Sequence, residues 1–406
     1  MSREMRHSGI EWIGEIPKEW EVNKIGNLYH VRNEKVSDKD FPPLSVTMNG
    51  IVPQLETAAK TNNGDDRKLV RKGDFAINSR SDRRGSCGVS QYDGSVSLIN
   101  TILMPRTSMN SQYYNWLFHT ELFADEFYKW GHGIVDDLWT TRWQEMKNIS
   151  IVYPSLAEQQ KIANYLDKVC GEVDEMIALQ EQMIEELKAY KQSVITEAVT
   201  KGLNPDAPMH DSGIDWIGEV PEHWEVKKIG YVFSNLDYLR EPISAELRER
   251  NNPQYDYYGA SGVIDKIDHY NVEDKVLLIG EDGANLVMRN LPLIYKAEGR
   301  FWVNNHAHIL KPIKDDYNYM AHTLEAADYR NYITGFAQPK LSQENLKAVK
   351  LPVPPLSEQQ SIASYLDTKC AEIDALIAIK QAKIEELKDY KKSVIYEYVT
   401  GKKEVV

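Results

Sequence analysis

Apolar residues recur at three- and four-residue intervals through two long stretches: Val173, Ile177, Ile184, Leu187 and Val194 in the first, and Ile373, Ile377, Ile384, Leu387 and Val394 in the second. That spacing lines them along one side of an α-helix. No proline interrupts residues 157–202 or 357–402, and each stretch follows proline (Pro154; Pro354 and Pro355) and stops near glycine (Gly202; Gly401). Ser155 with Glu158 fits a capping box, and Ser357 with Gln360 offers one to the second stretch. A helix of about 42 residues spans roughly 60 Å, too long for one small core. The alternation is that of a coiled-coil seam, with polar breaks at Gln180, Lys380, Lys191 and Lys391. The pattern predicts that the two helices pair antiparallel; two unpaired amphipathic helices on separate domains are the alternative. Between them, residues 27–153 and 231–352 are rich in Tyr, Trp, Gly, Asn and β-branched residues. Short apolar runs bounded by turn residues, among them Phe75–Ile77, Lys275–Ile279 and Ala307–Leu310, predict strands in two compact α+β domains.

The helical stretches are copies of one another. Residues 157–202 align without gaps to 357–402 with 26 identities in 46 positions. A second repeat opens each half: SGIEWIGEIPKEWEV, from Ser8, returns as SGIDWIGEVPEHWEV, from Ser212, with 11 of 15 positions identical. The segments between the repeats do not resemble each other. The chain therefore reads as four parts: 1–153 and 204–353, each a variable domain with its repeat phrase, and 154–203 and 354–406, the two helices.

Composition refines this little. The 406 residues, 42% hydrophobic and 27% charged, suit a soluble globular protein of two or three domains. No apolar run approaches the roughly 18 residues of a membrane helix, and the polar Met1–His7 start lacks a signal core. Three cysteines, Cys87, Cys170 and Cys370, lack metal-ligand spacing and fit a reducing cytoplasm. The net charge of −13 is unevenly spread. Residues 27–150 hold 15 basic and 15 acidic residues and 231–350 hold 14 and 17, whereas 155–200 hold 4 and 9. Acidity belongs mainly to the helix, so the total excludes little.

PSLAEQQKIANYLD and PPLSEQQSIASYLD, each after a strand-like lead-in (Ile149–Tyr153; Val349–Val353), the duplicated SGI(E/D)WIGE(I/V)P phrase, and YGASGVIDKIDHY with LLIGEDGA resemble the specificity subunit of type I restriction–modification enzymes over essentially the whole chain. The resemblance implies an α+β protein in which two α/β target-recognition domains are separated by two long helices forming an antiparallel coiled-coil spacer, with a pseudo-twofold internal repeat. It further implies that the unlike inserts read two unlike half-sites of double-stranded DNA, about one helical turn apart, with the helical pair setting their spacing. The repeats would dock two methyltransferase subunits, and through them restriction subunits. S-adenosylmethionine, ATP and Mg2+ would act in those partners and none in this chain.

No residue pattern argues for catalysis. A methyltransferase needs a cofactor glycine loop and an Asn/Asp-Pro-Pro-aromatic turn, and Asn252–Tyr255 has glutamine in place of the second proline. No phosphate-binding Gly-x-x-x-x-Gly-Lys-Ser/Thr loop is present. Glu281 and Asp282 could belong to a metal nuclease, but a turn shaped by Gly280 and Gly283 at positive φ suits them better. His306 and His308 have the spacing of two ligands on one strand face, without an evident third.

The candidate DNA contacts are local clusters. Asn78, Arg80, Arg83 and Arg84 form a glycine-bounded loop after the Phe75–Ile77 strand, with Lys72 before that strand and Arg142 near the first helix. An arginine fork matches guanine O6/N7 or phosphate; a solvated loop partly neutralised by Asp82 is the plain alternative. In the second insert the candidates are Tyr257, Tyr258, Ser261, Arg289, Asn304, Asn305, His306, Gln338 and Lys340, although aromatic and amide residues also fill ordinary sheets. Trp12, Trp20, Trp216 and Trp224 either pack the repeat phrase onto its domain or form an exposed docking patch. Glu185, Glu186, Glu385 and Glu386 are either solvated or receive the matched partners. The rival functions are a protein scaffold that never reads DNA and a cryptic nuclease.

Overall fold

The computed structural model describes residues 3–54, 64–133, 139–244, 254–335 and 337–405. The chain divides into two compact units. One comprises Met1–Glu181 with Ala382–Val406, and the other Gln182–Gln381. Each long helix, Leu156–Lys201 and Leu356–Val399, begins in one unit and ends in the other. Every unit thus contains the start of one helix and the end of the other. The expected seam is present: Val173, Ile184, Val194, Ile373, Ile384, Leu387 and Val394 are buried, and Ile177, Leu187 and Ile377 are half-buried.

Inside the first unit the helices run antiparallel. Tyr165 packs on Tyr398, ring centroids 4.4 Å apart, and Asp174 pairs with Lys391. Inside the second, Lys191 pairs with Asp374 in the same relation. Gly202 and Gly401 end the helices at φ 77° and 72°, where glycine is free of the Cβ penalty. At the starts, Ser155 is the cap, accepting from the Glu158 N–H at 3.3 Å. Ser357 is not a cap, because the second helix begins one residue earlier at Leu356. Pro355 occupies the position matching Ser155, so only its carbonyl accepts, from the N–H groups of Glu358 and Gln359.

The repeat phrase folds identically in both units. A small hairpin (Met5–His7 with Glu15–Pro17; Met209–Asp211 with Glu219–Pro221) leads into a strand that pairs antiparallel with the lead-in to the helix. Val22 faces Val152 in the first and Val226 faces Pro352 in the second. The inserts differ. The first has an antiparallel four-stranded sheet ordered Cys87–Val89, Phe75–Asn78, Asn100–Pro105, Tyr29–Arg32, a smaller three-stranded sheet, and helices Ser111–Phe118 and Glu121–Lys129. The second has a six-stranded sheet ordered Phe233–Asn235, Ala307–Pro312, Val272–Gly280, Ile294–Val303, Tyr255–Gly259, Gly262–Ile267, and helix Tyr317–Ala326. Each main core joins insert and helix ends: Tyr29, Phe118, Phe123 and Leu166 with Val394 and Val399 in the first, and Leu277, Leu310, Tyr319 and Leu366 with Val194 and Val199 in the second.

Candidate nucleic-acid interface

The arginine loop grows out of the end of a buried strand. Phe75–Asn78 lies between two partners in the sheet, so its continuation is rigidly placed. Ser79 accepts from the Thr141 N–H at 2.9 Å, and the Ser81 N–H donates to the Trp139 carbonyl at 3.1 Å. Thr140 in turn exchanges two backbone bonds with His132, at 3.0 and 3.1 Å. Three segments are thereby clasped together, and Arg142 joins the loop that carries Arg80, Arg83 and Arg84. Trp139 locks the clasp from behind, its indole N–H donating to the Tyr128 carbonyl at 2.8 Å. A Cβ on Gly131 would lie 2.3 Å from that indole nitrogen, so the contact requires glycine. Arg83 lies 3.7 Å from Asp82, and Arg84 pairs with Asp125; both are exposed. Arg80 is half-buried, and its guanidinium has no acidic partner among the described residues. Asn78 is buried and turned inward, accepting from the Arg80 N–H at 3.1 Å. Lys72 stands at the opposite end of the strand, away from this group, with its backbone N–H on Asp93.

The second insert builds the same clasp from unrelated residues. The strand Val272–Gly280 runs on into Glu281, which accepts from the Leu341 N–H at 2.8 Å; the Gly283 N–H donates to Pro339 at 3.0 Å; and Lys340 exchanges backbone bonds with Thr334 at 2.7 and 2.8 Å. Asp282 stands where Arg80 stands in the first unit, bridged to Lys340 as Arg80 is to Thr140. Its carboxylate meets His306 Nδ1 at 2.8 Å. Behind the clasp is a charge network. Fully buried His308 places Nδ1 2.6 Å from Asp237 and Nε2 2.7 Å from the Leu341 carbonyl, while Glu281 is held by Arg240 and by Lys340 at 3.0 Å. Burial pushes the Asp237 carboxyl upward, yet the His308 bond and charge and the Ile309 N–H outweigh it and leave the pKa below its ordinary value. Glu281 is lowered likewise, burial being overcome by Arg240 and Lys340.

Several expected contacts belong to the fold instead. Tyr257 is buried with Ile267 and Trp302, its hydroxyl 3.2 Å from the Ile243 N–H. Tyr258 is half-buried edge-on to Phe301. Asn304 is buried and accepts from the His306 N–H, shaping the turn. Arg289, at φ 50°, spends its guanidinium on the carbonyls of Glu325 and Ala327. Gly283 has the expected positive φ of 108°, but Gly280 does not; it is small because a Cβ there would lie 2.7 Å from the Ala260 carbonyl. That close approach sets the exposed Ser261 turn against the clasp. Asn305, His306, Gln338 and Lys340 are exposed. The Asn252–Tyr255 stretch lies partly outside the described residues.

The family model for the type I restriction modification DNA specificity domain matches residues 17–189 and 221–389. The chain belongs to that family. It carries two copies of the specificity domain, one for each half of the repeat. It is 32% identical over 149 residues to a protein of Haemophilus influenzae that carries the name of a type I restriction enzyme specificity subunit, a match spanning 36% of this chain and 37% of that one. With a similarly named protein of Methanocaldococcus jannaschii it shares 23% identity, covering 96% of this chain and 95% of the other. A solved chain from a study of type I system assembly shares the fold at a TM-score of 0.72, with 14% identity and 95% and 99% coverage.

The repeated residues of the two specificity domains fasten insert to helix. Trp20 and Trp224 are buried, and their indole N–H groups donate to Glu158 at 2.7 Å and Glu358 at 3.0 Å. They pack each unit and are not free to dock a partner, a correction to the patch alternative. Trp12 and Trp216 are half-buried against the same cores, Trp12 edge-on to Phe123. Glu185, Glu186, Glu385 and Glu386 are exposed, each already meeting a neighbour on its own helix: Lys188, Gln182, Lys388 and Lys383. Sequence reasoning missed the glutamines after the paired glutamates. Gln159 and Gln359, both buried, donate to the Pro154 and Pro354 carbonyls and accept the N–H groups of Asn110 and Asp316. The EQQ triplet repeated in both copies was the signal for them. Nothing in the sequence marks Asp237 and His308, 71 positions apart, as partners. No helix among the described residues is long and apolar enough to cross a membrane, and no group of three metal-binding side chains occurs among them.

Proposed function

We propose that this chain is the sequence-reading subunit of a cytoplasmic type I restriction–modification complex, and that each unit reads its own half of a two-part, asymmetric DNA target. The observation that carries this is the frame itself. Matching hairpins and tryptophan–glutamate bonds support two clasps of the same backbone pattern and unlike side chains. A repeated frame with different readers specifies two different sequences. The matching frames would each receive one methyltransferase subunit. Methyl transfer from S-adenosylmethionine, ATP-driven translocation and Mg2+-dependent cleavage belong, on this view, to methyltransferase and restriction partners. Phosphate contacts dominate DNA affinity, and this chain is acidic overall, so partners also supply much of the grip.

The test is selection from a randomised duplex library by the chain purified together with its methyltransferase subunit. Enrichment of two short sequences separated by a fixed gap is expected. Stable assembly with no enriched sequence overturns the proposal in favour of a scaffold, and Mg2+-dependent cutting by the single chain would indicate a nuclease.

A further inference from the structure

The two clasps can be superposed residue by residue through their hydrogen bonds alone. Thr141 to Ser79 corresponds to Leu341 to Glu281, Ser81 to Trp139 corresponds to Gly283 to Pro339, and the Thr140–His132 exchange corresponds to Lys340–Thr334. The neighbouring strands agree: Thr101 faces Ile77 as His308 faces Ile279. Ser79, 3.0 Å from the Thr101 hydroxyl, therefore matches Glu281 beside His308, and Arg80 matches Asp282. Buried Ser79 and half-buried Glu281 are satisfied inside the protein. The next residue along stands at the rim. Arg80 there has no acidic partner among the described residues, while Asp282 commits one oxygen to exposed His306.

We infer that Arg80 and Asp282 are equivalent base-reading positions, one in each unit, and that their opposite chemistry fixes what each half-site presents. This rests on the DNA-reading function proposed above. Arg80 offers a rigid donor fork, which suits the paired O6 and N7 acceptors of guanine. Asp282 offers an acceptor held in place by His306, which suits a base presenting an amino group, cytosine N4 or adenine N6. Arg289, Tyr257 and Asn304, engaged within the fold, read nothing. Both reading positions sit on extensions of buried strands, which fixes their backbone to the precision base contacts need.

The experiment repeats the duplex selection with Arg80→Lys, Arg80→Gln and Asp282→Asn in the complex with its methyltransferase, assembly being followed by co-purification. Arg80→Lys keeps the charge and loses the fork. The expected result is that both Arg80 variants relax one guanine position of one half-site by at least about fivefold and leave the other half-site intact. Asp282→Asn should relax one position in the other half-site only, and the base selected there by the parent chain distinguishes cytosine from adenine. An unchanged motif with Arg80→Lys, equal loss in both half-sites, or loss of all DNA selection by both Arg80 variants overturns the inference. If the parent chain itself selects no two-part sequence, the failure lies with the DNA-reading function and not with the equivalence.

Discussion

Lys391 places its ammonium 2.6 Å from the carboxylate of Asp174, and Lys191, two hundred residues earlier, stands 2.7 Å from Asp374. Both lysines are polar breaks in a largely apolar seam, as are Gln180 and Lys380. A polar residue at a seam position costs stability and fixes register and orientation. Here it does so twice, because a lysine of either helix finds its aspartate only when the helices run antiparallel in this register.

Lys391→Leu should therefore leave the melting temperature unchanged or raise it. Exposed pairs of this kind contribute about 0–1 kcal/mol, and the added leucine recovers apolar burial. Thermal unfolding followed by circular dichroism checks this. A fall of more than about 4 °C, which corresponds to over 1 kcal/mol for a unit of this size, contradicts it.

Removing the indole donor from the frame should be felt more strongly. Trp20→Phe deprives Glu158 of its 2.7 Å bond in a part-buried contact, leaving Arg3 as its side-chain partner among the described residues. A loss of about 1.5–3 kcal/mol is expected, as for hydrogen bonds to charged groups, and Trp224→Phe should act alike in the other unit. Denaturant titration showing a loss under about 0.5 kcal/mol would mean that the bond matters little.

Each unit borrows the end of a helix that starts in the other half of the chain. Val394 and Val399 lie in the first unit's core, and the buried Tyr113 hydroxyl donates to the Val399 carbonyl at 2.7 Å. Tyr113→Phe should cost about 1–3 kcal/mol, since a buried acceptor loses its donor. A chain ending at residue 381 should lose the cooperative unfolding of residues 1–181 altogether. Hydrogen exchange showing undiminished protection of Phe75–Asn78 in that chain would refute the dependence.

The charge network of the second unit predicts a pH dependence. The Asp237 pKa is held below its ordinary value of 3.8, so its contribution is present above about pH 4 and is lost as pH falls through the folded-state value. Asp237→Ala should destabilise by about 1–3 kcal/mol at pH 7, because it leaves the buried His308 Nδ1 and the Ile309 N–H without their acceptor. The difference from the parent should shrink as the pH is lowered below 4. A deficit independent of pH between 7 and 3 would show that packing, not charge, is lost.

What was legible in the sequence is what repeats locally. The helices, their seam and their glycine stops each rest on spacing within a few turns of chain, and the structure has them; the duplicated phrase is legible as a repeat but not as a hairpin. Trp20 and Trp224 were visible as a repeated pair, but packing and display look the same until a partner is known; Glu158 and Glu358, 138 and 134 positions away, decide for packing. Tyr257 and Asn304 carry the side chains of DNA contacts, yet the sheet turns Tyr257 inward and Asn304 is spent on the turn to His306. The clasp was illegible for a related reason. It is a backbone arrangement, and backbone hydrogen bonds impose no common side chains on Arg80 and Asp282.

The most direct test of the central claim is modified-base sequencing of the host genome with and without this gene. Disappearance of one methylated two-part motif with a fixed gap, and of no other, is the predicted result. An identical methylation pattern in the two genomes, with the methyltransferase expressed in both, would contradict it.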